Sequence, residues 1–169
     1  LDIPLIKVIL VEPKGNINLG SVARLCKNFD VNELRLVSPK CNPLDQLSID
    51  MAVKGKDILI NANQYKTLKD AVFDCTSIIA TCGRKEHSAT PLSDPLYALN
   101  WMLKRSSKST VAIVFGREDH GLTNQELNLA NKVINIQTSE NYKSLNLSHA
   151  VSIILYQLHS CIQKTTFTK

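Results

Sequence analysis

The chain of 169 residues is long enough for one domain with a substantial core, and it is short for two. A charged fraction of 21% and a hydrophobic fraction of 44% are ordinary for a soluble globular protein. No apolar run approaches the roughly 20 residues that a membrane span needs. The net charge of +5 is a mild basic bias, which suits a polyanionic partner or serves solubility alone.

The cysteines and histidines form no metal-binding pattern. The five cysteines contain no C-x-x-C pair, and the four histidines show no zinc-type spacing. We therefore expect no metal site, reduced thiols and a cytoplasmic protein. Because no basic segment precedes a long apolar one, we also expect a soluble protein that is neither exported nor bound to a membrane.

The first half of the chain begins with a strand and a helix. The continuous apolar run Leu5–Val11 predicts a strand buried on both faces of a parallel sheet. The next segment predicts a helix in which Val22, Cys26 and Phe29 share one face, with Asn18 as its N-cap. The further elements predicted in this half are a strand at 34–37, a helix at 44–53, a short strand at 58–60 and a short helix at 68–73.

The second half continues the alternation of strands and helices. Thr110–Phe115 is the clearest buried strand of the chain. From Leu147 onward apolar residues recur at helical spacing, which predicts a long amphipathic helix. The chain is therefore predicted to be an α/β domain with a mostly parallel sheet flanked by helices. The other elements predicted here are strands at Ser77–Thr81 and 133–136, helices at 95–103 and 124–130, and an aperiodic loop at 82–94.

The loop after the first strand resembles a phosphate-binding loop without being one. In open parallel sheets, ligands bind where loops leave the carboxyl ends of strands. The segment 15–21 has two glycines five residues apart, followed by Ser21. It lacks the lysine before this serine that would reach the phosphates, and the chain contains no G-x-G-x-x-G pattern. We therefore do not expect binding of a nucleoside triphosphate or a dinucleotide.

Two later loops contain more glycine and polar residues than a simple turn requires. In the loop 115–122, Gly116 would let the backbone approach a ligand closely, and Gly121 could supply a turn with positive φ. In the loop 140–146, Ser144 and Asn146 are ordinary N-cap residues for the long helix. Capping could explain either residue, but it does not explain both.

These three loops resemble the three sequence motifs of the SpoU-type branch of the SPOUT methyltransferases. The motifs read NLGSVAR at 18–24, VFGREDHGLT at 114–123 and YKSLNLSHAV at 142–151. Their order and separation fit the family, and the similarity covers nearly the whole chain. Within the branch, the chain is most similar to the TrmJ-like tRNA methyltransferases.

The resemblance implies a fold, a methyl donor and a site. The α/β domain would carry a trefoil knot at its C-terminal end, and the knot would hold S-adenosylmethionine, with S-adenosylhomocysteine as the product. The protein would be a homodimer with an RNA site shared across the interface. The positions that match the family's donor-binding residues are Thr81, Cys82, Gly83, Gly116, Ile136, Lys143, Ser144 and Leu145. The positions that match its polar active-site residues are Asn18, Arg24, Glu118, Ser144 and Asn146.

The implied activity is methyl transfer to a ribose 2′-hydroxyl of RNA, above all to an anticodon-loop cytidine or uridine of tRNA. Because a guanidinium group keeps its proton in proteins, we expect Arg24 to hold a phosphate and stabilise the developing alkoxide rather than act as a base. Ser144 and Asn146 would orient the donor and the ribose. An rRNA 2′-O-methyltransferase and a non-catalytic, knotted RNA-binding protein are the alternative interpretations.

Two features depart from the family pattern. Asp30 stands where a glycine usually follows the first helix, and aspartate tolerates the left-handed region less well than glycine. In addition, we interpret residues 1–169 as a single domain in which the usual C-terminal RNA-binding extension is absent or truncated.

Overall fold

The computed structural model describes residues 3–31, 33–83 and 90–167, in which strands and helices alternate. The strands are β1 (Leu5–Val11), β2 (Glu33–Val37), β3 (Asn63–Tyr65), β4 (Ser77–Thr81), β5 (Leu92–Ser93), β6 (Thr110–Phe115) and β7 (Lys132–Ile134). The helices are α1 (Asn16–Asn28), α2 (Gln46–Ala52), α3 (Lys56–Ile60), α4 (Leu68–Ala71), α5 (Pro95–Leu103), α6 (Asn124–Leu127) and α7 (Leu147–Phe167). A short 3-10 turn, Val53–Gly55, joins α2 to α3.

The strands form one sheet in the order β3-β2-β1-β6-β4-β7-β5, and every pairing between them is parallel. The central strands β1 and β6 pair from Leu5 opposite Thr110 to Leu10 opposite Phe115. Except for Lys7 and Phe115, both consist of aliphatic and β-branched residues, as expected for strands covered on both faces. The predicted α/β fold with a mostly parallel sheet is confirmed. The knot stays a prediction.

Helices cover the two faces of the sheet and divide the core. Ile6, Val8 and Leu10 of β1 point to a core shared with α1, α2, α3, α5 and α7. Ile9 and Val11 point to the opposite core, which contains residues of α4 and α6. This division follows from the two-residue period of a strand.

Lys7 shares the face of Ile9 and Val11 and is buried in a cluster of charges. Its Nζ lies 2.7 Å from Oδ2 of Asp74 and 3.1 Å from Oε1 of Glu33. Arg35 of β2, also buried, donates to both oxygens of Asp74 at 2.7 and 2.9 Å. The hydrogen bond from Arg35 holds the pKa of Asp74 well below its usual range. The cluster fastens the segment after α4 to β1 and β2.

Helix α1 begins at Asn16, so the prediction that Asn18 is its N-cap was wrong. Gly15 occupies the N-cap position without a side-chain cap. The side chain of Asn18 reaches across to Glu118 instead, at 3.2 Å. At the other end of α1, Asp30 has a φ of 56°, and Val31 N–H donates to the carbonyl of Cys26 at 2.9 Å. Asp30 therefore supplies the left-handed cap that glycine would give.

Several other boundaries differ from the prediction. The segment 58–60 belongs to α3, because Ile58 and Leu59 turn their side chains into the core from a helix rather than a strand. Helix α6 ends at Leu127, β7 covers Lys132–Ile134 rather than 133–136, and α2 covers Gln46–Ala52 of the predicted 44–53. The predicted loop 82–94 contains the short strand β5, and its part from 84 to 89 lies outside the described residues. None of the helices in the described ranges combines the length and apolar character that crossing a membrane requires.

Candidate active site

Loops that follow β4, β6 and β7 converge at the carboxyl edge of the sheet and enclose a cavity of about 440 Å³. Its floor is apolar, with Phe115, Leu122 and Leu147 buried beneath it. The structure brings all eight residues that match the family's donor-binding positions to its wall. They are Thr81, Cys82, Gly83, Gly116, Ile136, Lys143, Ser144 and Leu145.

The two glycines of the loop after β6 shape one side of this cavity. Gly121 has a φ of 70°, so the predicted turn with positive φ is confirmed. A Cβ on Gly116 would lie 2.4 Å from the carbonyl carbon of Gly121, which no side chain could tolerate. The close approach expected at Gly116 is therefore made within the loop itself, where Arg117 and Gly121 also exchange backbone hydrogen bonds.

The side chain of Arg117 holds this loop in place. Arg117 was not predicted as a site residue from the sequence. Its guanidinium donates to both oxygens of Glu126 at 2.9 and 3.0 Å, and its Nε donates to Glu12 at 2.5 Å. The Arg117 hydrogen bond lowers the pKa of Glu12. Burial opposes ionisation of Glu126, but the hydrogen bonds from Arg117 and Thr123, together with the charge of Arg117, outweigh it and lower the pKa of Glu126 as well. The loops after β1 and β6 are thus fastened together.

A second cavity of about 550 Å³ adjoins the first and shares Glu118, Ser144, Leu145 and Leu147 with it. Four of the five residues predicted to form the polar active site line this second cavity. They are Asn18, Glu118, Ser144 and Asn146. The exposed ring of Tyr142 and the side chain of His149 also line it, and neither was predicted as a site residue.

A chain of hydrogen bonds orients the polar groups between the two cavities. Glu118 accepts from Nδ2 of Asn18 at 3.2 Å, and Oδ1 of Asn18 accepts from Nδ2 of Asn146 at 3.0 Å. Oδ1 of Asn146 accepts in turn from the backbone N–H of Ser148 at 2.9 Å, so Asn146 caps α7 as the sequence suggested. Each amide is therefore held in one orientation by its neighbours.

The carboxylate of Glu118 also accepts the backbone N–H groups of Lys14 and Gly15, at 3.0 and 3.1 Å. It thereby anchors the start of α1 to the loop after β6. Beside it, the exposed Asp119 pairs with Lys14 and lies 2.7 Å from Nδ1 of His120. The hydrogen bond from Lys14 lowers the pKa of Asp119 to about 2.

Arg24 is the one predicted site residue that the structure does not bring to these cavities. It is exposed on α1 and lines neither of them. Within the described part of the chain its side chain makes no hydrogen bond or ion pair. Ile17, seven residues earlier on the same face of α1, is exposed too. Ile153 and Tyr156 are exposed on α7, which contacts α1.

Comparison with known proteins identifies a family. The model of the SpoU rRNA Methylase family matches residues 5–156, which is most of the chain. A tRNA (cytidine-2′-O-)-methyltransferase TrmJ from Methanocaldococcus jannaschii is 40% identical over 157 residues, covering 92% of this chain and 68% of that protein. A tRNA (cytidine/uridine-2′-O-)-methyltransferase TrmJ from Cronobacter sakazakii is 36% identical over 153 residues, covering 90% of this chain and 62% of that protein.

A solved structure supports the same relationship. A probable methylase family protein from Haemophilus influenzae superimposes with a TM-score of 0.89 at 34% identity, covering 96% of this chain and 68% of that one. The chain therefore spans between 62% and 68% of the length of these relatives.

Proposed function

Because the chain belongs to the SpoU rRNA methylase family, we propose that it is an RNA methyltransferase that uses S-adenosylmethionine to methylate a ribose 2′-hydroxyl, leaving S-adenosylhomocysteine. One observation carries the proposal. The eight residues that match the family's donor-binding positions line a single cavity, and four matching polar residues line the cavity beside it. The proposed acceptor is a cytidine or uridine of tRNA, after the activities named for the archaeal and bacterial relatives.

The first cavity suits the donor in size and chemistry. Its volume of about 440 Å³ lies in the range of small-molecule sites. Apolar side chains such as Ile136 and Leu145 offer a surface for a purine ring, and the charged groups of Glu118 and Lys143 stand at its rim. When bound, S-adenosylmethionine supplies an electrophilic methyl group on a sulfonium.

The second cavity would hold the ribose. Asn18, Ser144 and Asn146 present amide and hydroxyl groups to it, and the hydrogen-bond chain from Glu118 fixes the two amides before any ligand arrives. Holding the reacting groups in one orientation can lower the barrier by several kcal/mol, up to roughly 7–11. We assign Glu118 a positioning role, because it contacts backbone N–H groups and Asn18.

Arg24 would complete the site from a second copy of the chain. In one protomer it stands outside both cavities, on a surface of α1 that is exposed together with Ile17. A homodimer that packs this surface against its equivalent would carry each Arg24 toward the partner's ribose cavity. There its guanidinium would bind a phosphate and stabilise the alkoxide that forms as the 2′-hydroxyl loses its proton.

The test measures donor binding and methyl transfer separately. We expect Arg24→Ala to lower kcat at least about 100-fold, the usual effect of removing a charge-stabilising donor, while calorimetry shows unchanged donor affinity. Arg24→Lys should recover little, because an ammonium lacks the planar fork. Lys27→Ala, on the same helix and exposed, is the matched control.

The assay uses labelled S-adenosylmethionine and unfractionated tRNA, followed by mass spectrometry of the nucleosides. The expected products are 2′-O-methylcytidine and 2′-O-methyluridine. Methylation of a base, or donor binding without transfer to any RNA, would contradict the proposed activity. Unchanged turnover in Arg24→Ala would contradict the role of that residue alone.

A further inference from the structure

We propose that a basic and aromatic surface on α5, outside the two cavities, binds the phosphate backbone of the RNA substrate; this inference rests on the proposed function. We name this surface the α5 patch. It consists of Tyr97, Trp101, Lys104, Arg105, Lys108 and Lys132.

The aromatic rings of the α5 patch hold two of its cations in place. Cζ of Arg105 lies 4.2 Å from the ring centre of Trp101. Nζ of Lys132 lies 5.0 Å from the ring centre of Tyr97 and 5.1 Å from that of Trp101. Such contacts restrict the cations without neutralising them or using their N–H donors. Less rotamer freedom is then lost when an anion binds.

No carboxylate that the structure describes neutralises these cations. Within the described ranges, the four basic residues of the patch make no ion pair. Several other cations of the chain do form ion pairs, for example Lys14 with Asp119, Lys27 with Asp57 and Lys143 with Glu140. Four unpaired positive charges therefore concentrate on one short stretch of surface, where they attract a polyanion.

The exposure of the patch suits binding to an extended strand. Lys104, Arg105 and Lys108 are exposed on the turn that follows α5. Tyr97 is 60% exposed and lies about one helical turn before Trp101. A strand of RNA carries a phosphate on every nucleotide, so closely spaced cations can each meet one. Aromatic faces beside the cations are the second element of surfaces that bind single strands.

The position of α5 relates the patch to the proposed site. Asp94 and Pro95, at the start of α5, line a third cavity together with Gly83 and Lys143. Gly83 and Lys143 also belong to the wall of the donor cavity. A helix of nine residues is about 13 Å long. RNA whose target ribose occupies the site can therefore continue along α5 within a few nucleotides.

A purely structural role explains the patch less well. Packing of α5 against the sheet is already provided by Ala98, Leu99 and Met102, which are fully buried. Holding α5 in place would also require no cluster of charges, because apolar side chains would serve equally well. Lys104 and Lys108 contact neither ring, and they add to the positive potential without adding to the packing.

The experiment compares two double variants that each remove two positive charges. Arg105→Gln with Lys132→Gln changes the patch. Lys66→Gln with Lys69→Gln changes two exposed lysines near the opposite edge strand, β3, which form no ion pair with any residue that the structure describes. For the patch variant we expect KM for unfractionated tRNA to rise at least about fivefold with kcat and donor affinity unchanged, because the lost contacts bind RNA outside the reacting centre. Its tRNA affinity should fall less steeply with salt, by about 1.4–1.8 in the log–log slope for two lost phosphate contacts. The control should match the wild type.

Tyr97 gives an independent readout. Tyr97→Phe should keep the wild-type KM, because the ring that holds Lys132 is retained, whereas Tyr97→Ala should raise it. If the patch variant shows the KM and the salt slope of the control, the inference is overturned while the proposed function stands. The inference is equally overturned if the patch variant loses affinity for anionic phospholipid vesicles but not for tRNA. If the wild type methylates no RNA, it is the proposed function that fails.

Discussion

Some residues of the candidate site face the cavities, and others hold those residues in position. Glu118 stands at a position that the family motif marks as part of the polar site, yet its oxygens are engaged with Lys14, Gly15 and Asn18. Three N–H donors already occupy the oxygens of this carboxylate and hold it in place. Its contribution is therefore the orientation of Asn18 and, through Asn18, of Asn146.

Arg117 makes the stability of the site dependent on pH. Its bonds lower the pKa of Glu12 and Glu126 from the ordinary 4.5, so the folded state loses stability as pH falls through and below that value. Arg117→Met removes the partner of two carboxylates and should cost about 3 kcal/mol at pH 7. Because the carboxylates then gain from protonation, this cost should shrink toward pH 4. Urea unfolding at both pH values measures the difference.

A cost of Arg117→Met that is equal at pH 7 and pH 4 would show that packing alone is lost. Lys40→Met is a suitable control, because Lys40 is half-exposed and lies 3.6 Å from Glu12, and it should change the unfolding free energy little at either pH.

The sequence predicts the residues that face the first cavity but not those that hold its walls in place. Thr81, Gly116 and Ser144 occupy positions in a recognisable motif or at the end of a clear strand. Arg117 and Glu12 are 105 positions apart and meet through the pairing of β1 with β6. No local pattern encodes such a contact. The same reason hides the role of Asn18, whose partner Glu118 is 100 positions away.

At the scale of secondary structure, the predicted bounds of the continuously apolar strands agree with the observed bounds. β1, β4 and β6 are of this kind. β3 and β5 were missed, because Asn63–Tyr65 and Leu92–Ser93 are short edge strands with too few side chains for any period to emerge. The run at 58–60 was misread as a strand because three residues cannot distinguish a buried helix from a strand.

The crossing of α1 over α2 depends on one glycine. A Cβ on Gly20 would lie 2.3 Å from the carbonyl oxygen of Ser48 and 2.7 Å from Cβ of Met51. Because the first of these is backbone, α2 would have to move. We therefore expect Gly20→Ala to lower the unfolding free energy by about 2 kcal/mol, despite the better helix propensity of alanine.

Denaturant unfolding measures the effect of Gly20→Ala, with Gly15→Ala as the control. A Cβ on Gly15 would come no closer than 3.4 Å to another group, so that variant should lose only the preference of the N-cap position for glycine over alanine, about 0.5–1 kcal/mol. A Gly20→Ala protein as stable as the wild type would mean that α2 can move away from α1 at little cost in free energy.

At the scale of the whole molecule, the order of strands explains why the site is built from distant segments. β1, β6, β4 and β7 are consecutive in the sheet, so the loops at their carboxyl ends meet although they are separated along the chain. The same topology leaves Arg24 on the outer surface of α1. One protomer therefore contains both cavities, which we propose to hold the donor and the ribose, and the proposed dimer supplies the guanidinium.

Subunit mixing tests this arrangement. Arg24→Ala and Asn146→Ala should each be inactive alone, because every site in either homodimer lacks one group. In a mixed dimer, one site combines an intact Arg24 with an intact Asn146, and the other site lacks both. For random exchange between two-fold symmetric dimers, half of the dimers are mixed, so the mixture should recover about a quarter of the wild-type activity. If Arg24 served the cavities of its own protomer, every site would carry one defect and mixing would restore nothing.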